Sequence, residues 1–278
     1  MRSEYVTAAG TAALVDRLSD RDRRILLDLA RVRVLSGQQL TRLHFAELAP
    51  ESRDRTRRRV LARLADWQLV VTLERTVGGA RAGSAGHIYS LGVAGQRALP
   101  FLIARSDEEH ETYMDARPAR RSRTPSTPGM LFIAHALAIA ELYVKLREHE
   151  RAHDLVLAHF GAEPATWCPD GQGGVMKPDA YVRVQTDGVE DSWWIEADRA
   201  TESLPALRRQ LLAYVDFVRR GALGPGGIVP RVLVTVPHDR RLAAVRDLVA
   251  ALPTPGAELI AVVRHDRAAA LMITTLRS

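Results

Sequence analysis

The chain of 278 residues contains one cysteine, Cys168, which excludes an internal disulfide and fits a reducing cytoplasm. Lysine is nearly missing: Lys145 and Lys177 are the only two among 39 basic residues. Long apolar runs are missing as well. The longest, residues 130–146, is broken by His135, Glu141 and Lys145 and is short for a bilayer crossing, so no membrane partner is expected. The opening MRSEYVTAAG lacks the apolar stretch of a secretory leader. Aromatic residues make up 5%, and none interleave the densest basic stretch, which disfavours a single-strand stacking surface there. No internal repeat is visible.

What is present is arginine, unevenly placed. Residues 1–128 hold 22 Arg and 15 acidic residues, a net of +7, whereas residues 129–278 have a net of −1. A basic half joined to a near-neutral half predicts that the first half meets a polyanion. A coding bias towards arginine explains the scarcity of lysine but not the asymmetry. The length suits two domains.

Residues 15–105 read as the first domain. Ser19 is a good N-cap, with Asp20 and Asp22 favourable in the first turn. Ile25, Leu26, Leu29 and Val32 then give an apolar helical stripe. A second helix follows Ser36-Gly37. A third, over residues 52–67, turns Val60, Leu61, Leu64 and Trp67 inward. Strands are expected at 69–73 and 87–91, with a Gly-rich loop between them and a closing helix at 95–104. Three helices followed by a hairpin resemble a winged helix-turn-helix, whose third helix enters the major groove of double-stranded DNA. That helix carries Arg53, Arg55, Arg57, Arg58, Arg59 and Arg63, and the wing carries Arg75 and Arg81. Guanidinium groups suit phosphates and the guanine edge. The competing reading is a solvated face with Arg53–Asp54 and Arg63–Asp66 pairs.

Residues 106–128 are polar and Pro-rich and read as a linker. The second domain, 129–278, opens with a helix apolar nearly all round, hence buried. Glu141 on it must be paired, protonated or bound to a cation; pairing with Lys145 one turn on is the plain alternative. A strand with an irregular middle is expected over 155–160 and 165–168, and further strands at 180–185, 192–197, 231–236 and 258–263, with helices around 210–214 and 242–252. Asp187-Gly188 form the turn between two of these strands. This order predicts an α/β, more strictly α+β, mixed sheet with helices on both faces.

The chemistry concentrates in KPDAYVRVQTDGVEDSWWIEADRATESLPALRRQLLAY, residues 177–214. Glu196 and Asp198 lie two apart on a strand and share a face. Asp179 opens the neighbouring strand. Three carboxylates converging from paired strands suit Mg²⁺ or Mn²⁺. Gln210 and Tyr214 share a helix face at i, i+4. Trp193 and Trp194 point to opposite faces, so at least one belongs to the core.

This stretch resembles the PD-(D/E)XK nuclease superfamily. Pro178-Asp179 stand for PD, Glu196 for the following acid, and Gln210 with Tyr214 for the QxxxY element of some of its branches. The resemblance implies a restriction-endonuclease-like sheet, metal ligands Asp179 and Glu196 with Asp198 as a third and Glu141 joining from the first helix, and Gln210 and Tyr214 orienting the site. Asp198 departs from the pattern, standing where the superfamily has lysine. Lys145 or Lys177 would then be the relocated cation, with Arg199 a third candidate.

An arginine-rich winged helix, a linker and KPDAY…WIEADRATES…QLLAY together resemble the replication-relaxation family, which implies DNA transactions of plasmids or other mobile elements. Three functions remain open: a metal-dependent endonuclease or nickase, a replication or transfer factor with an inactive nuclease fold, and a winged-helix transcription regulator. The oligomeric state is open too, a homodimer included.

Overall fold

The computed structural model describes residues 8–73, 87–104, 129–186 and 188–278. By their contacts the described residues form two compact units, one up to Val144 and one from Lys145. The wing residues Arg75 and Arg81, the linker 106–128 and Asp187 lie outside the described residues. No helix among the described residues is long and apolar enough to cross a membrane.

The first unit contains α1 (Ala8–Asp16), α2 (Asp20–Val32), α3 (Gly37–His44), α4 (Pro50–Asp66) and α5 (Val93–Ile103), together with the start of α6 (Met130–Arg151). The strands β1 (Leu35–Ser36), β2 (Val70–Leu73) and β3 (Ile88–Leu91) form an antiparallel sheet in the order β1-β3-β2. Two capping boxes start the helices where the sequence signals them. Ser19 and Asp22 exchange side-chain and backbone bonds at α2, and Ser36 and Gln39 do so at α3, satisfying orphan N–H groups. Ile25, Leu26 and Leu29 of α2, Leu40 of α3, Leu61 and Leu64 of α4, and Val70 of β2 are buried. Gly95 lets α5 approach the start of β2, since a Cβ there would lie 2.1 Å from the Leu69 carbonyl oxygen.

The helix expected to open the second domain contributes residues 130–144 to the first unit instead. Polar anchors explain this. The Tyr143 hydroxyl donates to Asp28 Oδ1 at 2.5 Å and accepts from Arg31 at 2.8 Å. His44 Nε2 lies 2.9 Å from the other Asp28 oxygen. Burial pushes the Asp28 carboxyl up, but His44, Arg31 and Tyr143 outweigh it and hold the group below its ordinary value.

The second unit is built on a five-stranded mixed sheet in the order β10-β9-β8-β7-β4. Its strands are β4 (Val156–Ala162), β7 (Ala180–Thr186), β8 (Val189–Ala197), β9 (Arg231–Val236) and β10 (Ile260–Arg264). β4, β7 and β8 run antiparallel, while β8, β9 and β10 run parallel. One face packs Trp194, Val232 and Val234 against Leu207, Leu211, Tyr214 and Phe217 of α7 (Leu204–Arg219) and Val245 and Val249 of α8 (Asp239–Ala250). α9 (Gly256–Leu259) leads into β10, and α10 (Ala268–Leu276) lies against β7 and β8. A separate hairpin pairs β5 (Cys168–Pro169) with β6 (Val175–Met176). The mixed α/β sheet with flanking helices is the expected class. The stretch 165–168 expected to continue the first strand is a turn whose last residue, Cys168, opens β5, and β1, β6 and the helices α1, α9 and α10 have no counterpart among the expected elements.

Candidate functional site

β8 alternates its side chains across the sheet, which puts Trp194 and Glu196 on the face covered by α7. Trp193 and Trp194 are both fully buried. Glu196 is only 3% exposed. Gln210 and Tyr214, one turn apart on α7, both reach it: Gln210 Nε2 donates to Oε2 at 2.5 Å, and the Tyr214 hydroxyl donates to Oε1. Burial pushes the Glu196 carboxyl well above its ordinary value, and the negative charge of Asp179 adds to this. The Tyr214 hydrogen bond opposes the rise, while Glu202 and Glu163 reinforce it. Burial and the neighbouring Glu196 likewise raise Tyr214 well above the ordinary phenol range. The structure thus joins four of the expected residues: Asp179 close enough to act on Glu196 by its charge, and Gln210 and Tyr214 in direct contact with it.

Asp179 is placed by β-sheet bonding on both sides, its N–H donating to Ile195 and its carbonyl accepting from Glu163. Its carboxylate Oδ2 accepts the Ala197 N–H at 2.7 Å. Asp198 goes elsewhere. Its Oδ2 meets Arg241 Nε at 2.5 Å, and its Oδ1 accepts both Arg241 Nη2 at 3.2 Å and the Ala200 N–H at 2.8 Å. The guanidinium of Arg241 on α8, which sequence reading passed over, therefore takes up the charge that was expected to face a metal.

Of the other three candidate cations two are committed, whereas one guanidinium nitrogen of Arg199 is buried without a hydrogen-bond partner. Lys145 Nζ donates to the Asp266 carbonyl at 2.9 Å, and Lys177 Nζ lies 4.9 Å from the centre of the Trp167 ring. Glu141 belongs to the first unit, where Arg42 donates to it at 2.6 Å and Gln39 at 3.1 Å. The expected i+4 partner Lys145 and the expected metal set are thus both replaced by a pairing to α3.

These residues do not fit a divalent cation. Both Glu196 oxygens and both Asp198 oxygens hold protein donors, and burial disfavours charge on Glu196. Among the described residues no group of three or more His, Cys, Asp or Glu is disposed to hold a metal ion. The convergence of Asp179, Glu196 and Asp198 expected from strand periodicity is therefore corrected. Periodicity sets the face, but a guanidinium on a neighbouring helix redirects the third carboxylate.

The arginines of α4 in the first unit divide into two sets. Arg53 donates to the carbonyls of Leu48 and Ala46, closing the turn before the helix. Arg57 donates to the Gly37 carbonyl and the Thr41 hydroxyl, tying α4 to α3, and pairs with Asp54 at 3.3 Å. Arg63 binds both oxygens of the fully buried Asp22 at 2.6 and 2.7 Å and stacks on Trp67. The pairs Arg53–Asp54 and Arg63–Asp66 are thus replaced by Arg57–Asp54 and Arg63–Asp22. Arg55, Arg58 and Arg59 are exposed. Arg58 donates only to the Asp54 carbonyl of its own helix, and Arg55 and Arg59 make no hydrogen bond or ion pair with the described residues. Spaced at i, i+3 and i+4, these three share one face.

Comparison with known proteins matched residues 26–232 to the family described as replication-relaxation. No curated protein and no solved structure matched. A match over well over half of the chain decides membership: this chain belongs to the replication-relaxation family.

Proposed function

We propose that this protein binds double-stranded DNA through the exposed face of α4 and serves the replication or transfer of a plasmid or other mobile element. The family points to the broader role. The finer reading rests on one observation: of six arginines on α4, three hold the first unit together and Arg55, Arg58 and Arg59 are left projecting from one face. Exposed guanidinium groups on α4, the last of the helices α2, α3 and α4 that precede the β2–β3 pair, suit a winged helix that docks in the major groove. In this reading the second unit is a PD-(D/E)XK-like fold that does not cleave. Its acids are spent on Arg241, Gln210, Tyr214 and backbone donors, so a water-activating metal lacks ligands.

Two measurements test this. In anisotropy titrations of the full chain on duplex oligonucleotides, affinity falls as salt rises. The Arg55→Ala/Arg58→Ala/Arg59→Ala variant binds more than about tenfold more weakly, with a shallower salt slope. Unchanged affinity sinks the reading. In calorimetry and plasmid-nicking assays with MgCl₂ or MnCl₂, neither uptake nor nicking is expected. Metal-dependent nicking that disappears in both Asp179→Ala and Glu196→Ala would replace the non-cleaving assignment with an enzyme.

A further inference from the structure

We propose that Trp167 and Lys177 form a stacking platform for an unpaired nucleobase of single-stranded DNA. The inference deepens the DNA-binding function proposed above and rests on it.

The pair lies at the base of the small hairpin of the second unit. β5 and β6 are antiparallel with Cys168 opposite Met176 and Pro169 opposite Val175, so the next position outward sets Trp167 opposite Lys177. The two faces of this ribbon differ. Met176 is buried in the same core as Trp194 and Tyr214, and Cys168 packs against that core. The alternate positions face solvent: Trp167 is 42% exposed and Val175 51% exposed. The other tryptophans do not offer their rings in this way, since Trp193 and Trp194 are buried and Trp67 is flanked by Arg17 and Arg63.

The platform is held rigid. The Thr166 hydroxyl, itself buried, donates to the Pro178 carbonyl at 2.8 Å, and Trp167 N–H donates to the Pro164 carbonyl at 3.3 Å. At the tip, Asp170 Oδ1 accepts the N–H groups of Gln172 and Gly174, and Arg220 of α7 donates to the Asp170 carbonyl. The backbone that carries Trp167 is therefore tied down, by Thr166 to the segment that delivers Asp179 and by Asp170 to α7.

The chemistry selects the occupant. The Lys177 ammonium lies over the indole, 4.9 Å from its centre; a nucleotide carries both a flat base to take that place on the ring and a phosphate to receive the displaced cation. A protein partner laid over the indole would bury the Lys177 ammonium without a counter-charge, which is costly. A base paired inside a duplex hides its face, so the ligand is a single strand.

The test uses the full chain, titrated with fluorescein-labelled oligothymidylate and, separately, with a duplex. Trp167→Ala is expected to weaken oligothymidylate binding about tenfold or more while duplex affinity stays within about twofold. Trp167→Phe recovers most of the loss, and Lys177→Ala weakens binding chiefly at low salt. Oligothymidylate should shield tryptophan fluorescence from acrylamide in the parent protein and not in Trp167→Ala. Equal oligothymidylate affinity in parent and Trp167→Ala overturns the proposal. So does a change in self-association on Trp167→Ala without loss of strand binding, which would assign the indole to a protein contact. Failure of the duplex arm alone counts against the role given to α4 and leaves the platform to be decided by the oligothymidylate arm. A melt by circular dichroism shows that each variant is folded.

Discussion

At Glu196 the Tyr214 donor and three neighbouring acids pull in opposite directions, and burial, the largest influence, holds the carboxyl well above its ordinary value. The consequence for stability has a definite sign. The unfolded chain returns this carboxyl to about pH 4.3, below its folded value, so the folded state binds the proton more tightly. The stabilisation is complete below the unfolded value and is lost as pH rises through the folded one. Glu196→Gln, which keeps the shape and cannot ionise, is therefore expected to melt above the parent by a margin that widens as pH is raised from the unfolded value upward. A constant margin in thermal melts across that range would show that Glu196 stays charged in the fold. The contact of Gln210 and Tyr214 with one acid was legible in the sequence, because i, i+4 spacing puts them on one helix face and strand alternation turns Glu196 towards it. The diversion of Asp198 was not. Its partner Arg241 lies 43 positions away on another helix, and no local spacing marks that pairing.

At the level of elements, α4 shows how a basic helix can be both scaffold and surface. Substituting Arg53, Arg57 or Arg63 should lower stability by about 1–3 kcal/mol, because each leaves polar groups without a donor. Substituting Arg55, Arg58 and Arg59 should leave the melting temperature within a degree or two while abolishing most duplex affinity, as exposed charges contribute little to folding. Denaturation curves beside binding curves separate the two sets, and a large stability loss from the second set would contradict the division. The existence of α4 was readable from its apolar stripe, and α2 from its Ser19 cap. β9, at residues 231–236, was readable from its β-branched run. Which arginines were tied down was not readable, because the acceptors are chiefly backbone carbonyls of Ala46, Leu48 and Gly37, which have no side-chain signature.

For the whole molecule, composition suggested a division near residues 106–128, whereas contacts carry the first unit on through Val144. The reason is chemical. Asp28 is buried, and the hydroxyl that meets it comes from Tyr143. A fragment ending at residue 104 therefore leaves that carboxylate with Arg31 and His44 but without the Tyr143 hydroxyl. It should unfold more easily in urea than a fragment ending at residue 152, by about 1–3 kcal/mol for the lost hydrogen bond alone. Equal stability of the two fragments would show that the start of α6 is dispensable to the first unit.

The same Tyr143–Asp28 bond bears on inheritance. A recombination event that joined residues 1–128 to an unrelated partner would supply the first unit with a foreign helix. Unless that helix brought a hydroxyl to the same turn, the hybrid would leave Asp28 to Arg31 and His44, one buried hydrogen bond short. The two halves of this gene are thus expected to be passed on together. Lineages that did exchange them should show position 28 and position 143 changing in concert.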